Sequence, residues 1–253
     1  MDLGLKGRRV LVTGASRGIG RRIAETFVDE GAEVAICARD ADEVKAAVEA
    51  LTARGGRALG RALDVADEAA LTSWVVETAD ELGGLDVVVA NVSALAIPDE
   101  ADNWRAEFEI DLMHTVRLVN AAMPHLERSD AGSIVAVSSV SGREIDFAAG
   151  PYGTFKAALI HYVQGLAFQL AGKGIRANTV SPGNVYFPGG VWENIEKNNP
   201  ELFGHALGLN PTGRMAKPEE VARAVVFVAS PAVPFMSGAN LVVDGALTRG
   251  VQF

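Results

Sequence analysis

Tyr152 and Lys156 stand four residues apart, a spacing that puts both side chains on one face of a helix, one turn from each other. A phenol and an ammonium so placed can move a proton. The tyrosine hydroxyl, with an ordinary pKa of about 10, is a poor donor and a poor base at neutral pH. A neighbouring lysine charge favours the phenolate and lowers that pKa, which suits a carbonyl that gains a hydride and must also gain a proton. Ser139 lies thirteen residues before Tyr152 and can hydrogen-bond the reacting oxygen. Alone, a Tyr-x3-Lys pair is an ordinary helix-surface pattern. Its weight comes from the serine and from a glycine-rich turn near the start of the chain.

That turn reads Thr13-Gly14-Ala15-Ser16-Arg17-Gly18-Ile19-Gly20. It follows the apolar run Val10-Leu11-Val12 and leads into Ile19, Ile23, Ala24, Phe27 and Val28, which share one helical face. Glycines at such a junction let backbone N–H groups approach a pyrophosphate at the helix N-terminus. Gly14, Ser16, Arg17, Gly18, Ile19 and Gly20 are therefore candidate cofactor contacts. An NAD site places an acid at the end of the second strand to bond the ribose 2′-hydroxyl. Here Ala38 is followed by Arg39, and Arg17 projects nearby. Two guanidinium groups can clamp a 2′-phosphate. The expected cofactor is NADP(H), with NAD(H) the alternative; the competing reading makes Arg39 a solvated partner of Asp40 or Asp42.

Short apolar runs and helix-period stretches alternate along the whole chain, which predicts an α/β fold: a doubly wound, mostly parallel sheet with helices on both faces. Strands are expected at 10–12, 33–38, 58–63, 85–90, 133–139, 176–181 and 240–243, with helices at 40–53, 67–82, 104–125, 152–171 and 218–230. No low-complexity linker interrupts them, so residues 1–253 read as one domain. Residues 186–211, rich in Pro, Gly and Asn with scattered aromatics, read as a mobile, irregular insertion serving as a lid.

Composition excludes several functions. The net charge of −9, with no cluster of Lys and Arg, argues against nucleic acid. No apolar run is long enough to span a bilayer, and residues 1–9 do not resemble a signal peptide. The single cysteine, Cys37, sits in an apolar run as a buried structural thiol, so no intrachain disulfide forms and a cytoplasmic location is expected. His114, His125, His161 and His205 lack metal-ligand spacing and read as helix-surface or interface residues, with no metal site. Ser139 is not in a Gly-x-Ser-x-Gly elbow, which removes the hydrolase reading. Glu219-Glu220 read as charge at a helix N-terminus.

Thr13-Gly14-x3-Gly18-x-Gly20, Ser139, Tyr152-x3-Lys156 and Pro182-Gly183, in that order, resemble the short-chain dehydrogenase/reductase family, in particular its 3-oxoacyl-carrier-protein-reductase-like branch. The likeness extends to the segment Ser237 to Gly245. It implies a Rossmann-type single domain of about seven strands and an enzyme acting on CH–OH groups. It also implies that Asp64 and Val65 contact the adenine, Asn91 lies beneath the cofactor ribose, Lys156 binds the nicotinamide ribose, and Val185 meets the carboxamide through its backbone, with Pro182, Gly183 and Ser93 alongside. A homotetramer, or a homodimer, is implied, with interfaces on the helices at 104–125 and 152–171.

The sequence departs from that family in three places. The asparagine that usually holds a relay water in the fourth helix is Asp111, whose charge would favour the Lys156 ammonium. A glycine beside the cofactor ribose is Ser93. The threonine after Pro-Gly is Phe187. The substrate is a small molecule of one of two classes. Tyr186, Phe187, Val191 and Trp192 on the lid suit a small apolar or aromatic ketone or alcohol. Lys173 and Arg176 could instead serve an acidic carrier bearing a 3-oxoacyl thioester. A rival of another class is a cofactor-binding sensor that has kept the fold without catalysis.

Overall fold

Apolar runs too short for helices become strands. In the computed structural model, which describes residues 1–251, these are β1 (Arg9–Thr13), β2 (Glu33–Ala38), β3 (Ala58–Ala62), β4 (Val87–Ala90), β5 (Ser133–Val137), β6 (Arg176–Pro182) and β7 (Asn240–Val243). They form one sheet in the order β3-β2-β1-β4-β5-β6-β7, and every neighbouring pair is parallel. The central strands β4 and β5 are buried throughout. Such burial on both faces explains their unbroken apolar character.

The helices are α1 (Gly18–Asp29), α2 (Ala41–Ala53), α3 (Glu68–Leu82), α4 (Ala101–Glu107), α5 (His114–Leu126), α6 (Pro151–Leu170), α7 (Val191–Asn198), α8 (Pro200–Gly208) and α9 (Pro218–Ala229). They seal two cores. On one face Leu71, Trp74, Leu118, Leu159 and Val163 come from α3, α5 and α6. On the other Ile23, Phe27, Ala47, Val221 and Val225 come from α1, α2 and α9. The sheet runs outward in opposite directions from the β1–β4 junction, so the C-terminal ends of β1 and β4 part and leave a cleft, the usual ligand position in open α/β sheets.

Two expectations are corrected. The helix expected at 104–125 begins at Ala101 and is interrupted by a π-helical turn, Phe108–Met113. The insertion at 186–211 is not irregular, for it carries α7 and α8 around a small core of Trp192, Ala206 and Met215. Its Asn and Pro residues are helix punctuation. Asn199 accepts from the Leu202 N–H (3.1 Å) as the cap of α8, and Pro200 fills the first helical position, where no N–H is needed.

Candidate active site

The wall of the cleft under β1 is built from backbone. A Cβ placed on Gly20 would come within 2.2 Å of the Gly14 carbonyl oxygen, so the turn closes only with glycine there. No side chain caps α1, and its first turn carries no acid. Its leading N–H groups therefore face the cleft, a cradle that fits a pyrophosphate. The Asn91 amide braces the turn from below, donating to the carbonyls of Thr13 (3.2 Å) and Gly14 (3.0 Å). Phe187 leans over the turn, its ring 2.7 Å from where a Gly18 Cβ would stand.

A cleft of about 820 Å³ runs along this wall and past Tyr152. It is lined by Gly14, Ser16, Arg17, Gly18, Ile19, Gly20, Arg39, Asp64, Val65, Asn91, Ser93, Ser139, Tyr152, Lys156, Pro182, Gly183 and Val185, and by Phe187, Val191 and Trp192 of the insertion. Among the described residues neither Arg17 nor Arg39 has a carboxylate partner. Asp40 is engaged as the cap of α2, accepting from the Glu43 N–H (2.9 Å). The two exposed guanidinium groups thus stand at the far end of the cleft with donors to offer. Tyr186 does not line the cleft; its hydroxyl donates to Glu196, and its ring packs on Phe203.

The wall under β5 is built from buried charge. Ser139 ends the loop from β5, and its Oγ accepts from the Ser141 N–H (3.2 Å). Ser139 also acts on the Tyr152 phenol, favouring its ionised form. The Lys156 ammonium lies 5.5 Å from the centre of the Tyr152 ring and 2.8 Å from Asp111 Oδ1. Lys156 donates to the Val137 carbonyl (3.2 Å), and its own carbonyl accepts from Ser138 Oγ (2.9 Å). A Cβ on Gly142 would sit 2.7 Å from the Lys156 carbonyl carbon, so the loop after β5 presses directly on α6 at the lysine.

Burial disfavours the Lys156 ammonium, but Asp111 and Tyr152 more than offset it and hold its pKa above the ordinary lysine value. Burial likewise acts first on Tyr152, and it outweighs Lys156 and Ser139, so the phenol pKa is raised. The sequence argument expected it lowered. The difference arises because burial, with smaller contributions from the fields of Asp111 and Glu107, outweighs the lysine charge. Tyr152 is therefore a neutral phenol at neutral pH.

Three supporting residues escaped the sequence reading. Ser138 fixes α6 from below. Glu107 is buried on the same face as Asp111, and its carboxyl accepts from the Ala96 N–H (2.7 Å). His114, expected at the surface, is fully buried. Burial lowers its pKa to about 4, so it is neutral, donating from Nδ1 to the Ile110 carbonyl (3.1 Å) and accepting at Nε2 from the Thr13 hydroxyl (3.0 Å). His125 is also buried, whereas His161 and His205 are exposed. A signal for the cluster was present: Glu107, Asp111 and His114 recur at the spacing that otherwise marks an apolar helix face. Cys37 is buried and its thiol pushed up to about 12, a structural residue and not a nucleophile. No group of His, Cys, Asp and Glu suited to a metal comes together among the described residues, and no described helix is long and apolar enough to cross a membrane.

A family model described as enoyl-(acyl carrier protein) reductase matches residues 14–248. The chain belongs to the short-chain dehydrogenase/reductase family. It is 43% identical to isoepoxydon dehydrogenase of Penicillium expansum over all of this chain and 99% of that protein. L-fucose dehydrogenase of Mus musculus is 36% identical, covering 96% of this chain and 89% of the relative. L-sorbose reductase of Gluconobacter frateurii, solved with NADPH and L-sorbose, superposes with a TM-score of 0.89 at 29% identity, covering 99% of this chain and all of the other. The protein is accordingly a short-chain oxidoreductase of the class acting on CH–OH groups.

Proposed function

We propose that this enzyme uses NADP(H) to interconvert a secondary alcohol and a ketone on a small hydroxyl-bearing substrate, with Tyr152 as its acid/base. The observation that carries the reading is a half-buried Tyr152, a neutral phenol between Ser139 and Lys156, in the same cleft as an uncapped helix N-terminus. The bound reduced nicotinamide would supply the hydride. Gly14 to Gly20 would hold the pyrophosphate, and Arg17 with Arg39 the 2′-phosphate. Ser139 would orient the substrate oxygen, Tyr152 would protonate it, and Lys156 would steady the resulting phenolate. Asp64, Val65, Asn91, Ser93, Pro182, Gly183 and Val185 would line the rest of the cofactor path.

Small substrates are favoured over a carrier-bound thioester because the cations that would greet an acidic carrier are engaged elsewhere. Lys173 pairs with Glu127 (2.5 Å), and buried Arg176 donates to the carbonyls of Val228, Ala229 and Ser230 at the end of α9. The cleft lining mixes Leu95, Ile110 and Trp192 with Ser93 and Asn194, which suits a ring that carries hydroxyls. Two relatives are named for sugars, which agrees with that mixture. The insertion carrying Val191 and Trp192 would act as the lid. Self-association is proposed for the α4–α6 surface, where Trp104 and Phe108 pack on Phe155 and remain partly exposed, and Phe168 is 87% exposed.

Fluorescence titration with NADPH and NADH, followed by a panel of hydroxylated rings, aromatic ketones and acyl thioesters, tests the reading. Tighter NADPH binding and turnover confined to the small hydroxylated compounds are expected. Binding without turnover of any panel member would favour the sensor instead.

A further inference from the structure

Below Tyr152 the protein buries one cation and two carboxyl groups. Lys156 faces Asp111 Oδ1, and Asp111 Oδ2 accepts from the Ala94 N–H (2.8 Å). Glu107 lies against Asp111, bonded through one oxygen to Ala96 N–H, while its Oε2 is buried with no donor in the described protein. Among the described residues every other titratable group facing this cluster is neutral. Those groups are His114, on the same helical run, and Tyr152, on α6; the loop after β4 offers only backbone N–H groups. Two buried carboxylates beside one ammonium would leave an uncompensated charge, which a protein interior tolerates poorly. One proton between the carboxyl groups removes that charge and gives Glu107 Oε2 a role.

We propose that Glu107 and Asp111 form a carboxyl pair that holds one proton and delivers it through Lys156 to replace the proton Tyr152 gives to substrate. Neither side chain lines the cleft, so both are positioning residues for that proton. In the reducing direction the carbonyl carbon accepts a hydride and its oxygen takes the Tyr152 proton. Lys156 gives a proton to the phenolate and recovers one from the pair, and the pair recovers its own from solvent. One hydride and one proton are consumed per alcohol formed, and oxidation runs in reverse. Burial first, then the Asp111 charge, raise the Glu107 pKa from 4.5 to about 8, against the pull of Ala96 N–H and Lys156. A group protonated more readily when folded stabilises the fold at low pH, and that contribution is lost as pH rises through about 8.

The inference rests on Tyr152 as the acid/base, but the spectra and melts that test it first need neither substrate nor cofactor and so fail separately. Infrared difference spectra and thermal melts of the cofactor-free protein are recorded from about pH 5 to about pH 9. In wild type a protonated-carboxyl band should vanish with a midpoint near 8, and the melting temperature should fall over the same span. In Glu107→Gln, which keeps the acceptor for Ala96 N–H, both changes should be absent. Reduction should slow by about tenfold or more and change its pH profile, with NADPH affinity retained. In Asp111→Asn the like charge is gone and the Glu107 midpoint should drop. That variant carries the test if Glu107→Gln does not fold. Persistence of the band and its titration in Glu107→Gln, an unmoved midpoint in Asp111→Asn, or a turnover profile unchanged in Glu107→Gln would each overturn the proposal.

Discussion

Under β1 the cleft wall consists of backbone around the glycine turn, whereas under β5 it consists of charge sunk beneath Tyr152. The first is a matter of geometry: glycines clear the way, Asn91 holds the turn, and uncapped N–H groups face the cleft. The second works through balance. Lys156 is tolerated in the interior because Asp111 meets it, and Asp111 because Lys156 and Ala94 N–H surround it. A backbone wall should fail locally when a side chain intrudes. A charge wall should fail globally when one member is removed.

The largest effect should come from Lys156→Met. Removing one partner of a fully buried ion pair costs roughly 3–5 kcal/mol, and chemical denaturation of the cofactor-free protein should read a loss of that order. The loss should shrink at acid pH, where Asp111 takes a proton. Stability within about 0.5 kcal/mol of wild type would show that the pair carries no structural weight.

Gly20→Ala tests the other wall. With a Cβ 2.2 Å from the Gly14 carbonyl the turn must open. NADPH affinity should drop by at least about tenfold, roughly 1.4 kcal/mol, while Tyr152 and its neighbours stay in place. Undiminished affinity would mean that the pyrophosphate lies elsewhere.

The smallest and most selective change is Arg39→Ala. The side chain is exposed and has no carboxylate partner among the described residues, so stability should hold within about 0.5 kcal/mol. NADPH should weaken by about tenfold, the scale of one charge-assisted hydrogen bond, and NADH should not change. Equal weakening of both cofactors would place the 2′-phosphate away from Arg39.

The same contrast decides what was legible in the sequence. Glycine spacing follows from backbone sterics that act within a few residues, so the turn, the strand before it and the helix after it can be read directly. Arg39 was legible because a strand end fixes where the next residue must project. The charged cluster was harder to see. Asp111 stood out only by its departure from a family pattern, and the helical spacing that joins Glu107 and His114 to it is easily passed over, since charge on a helix usually marks its solvated face. Here a π-helical turn at Phe108–Met113 and the loop after β4 bring that face against α6. Such a contact depends on tertiary packing, which the local pattern does not encode. The insertion was misread for a related reason: Pro, Gly and Asn serve both loops and helix ends, and only the packing of Trp192, Ala206 and Met215 decides between them.

The most direct test of Tyr152 as acid/base is turnover by Tyr152→Phe, measured beside an NADPH titration of the same preparation. The account predicts a fall of at least about a hundredfold in turnover, the scale of a lost general acid, with NADPH affinity unchanged. Near wild-type turnover with the cofactor bound would contradict it, because the proton would then come from another group.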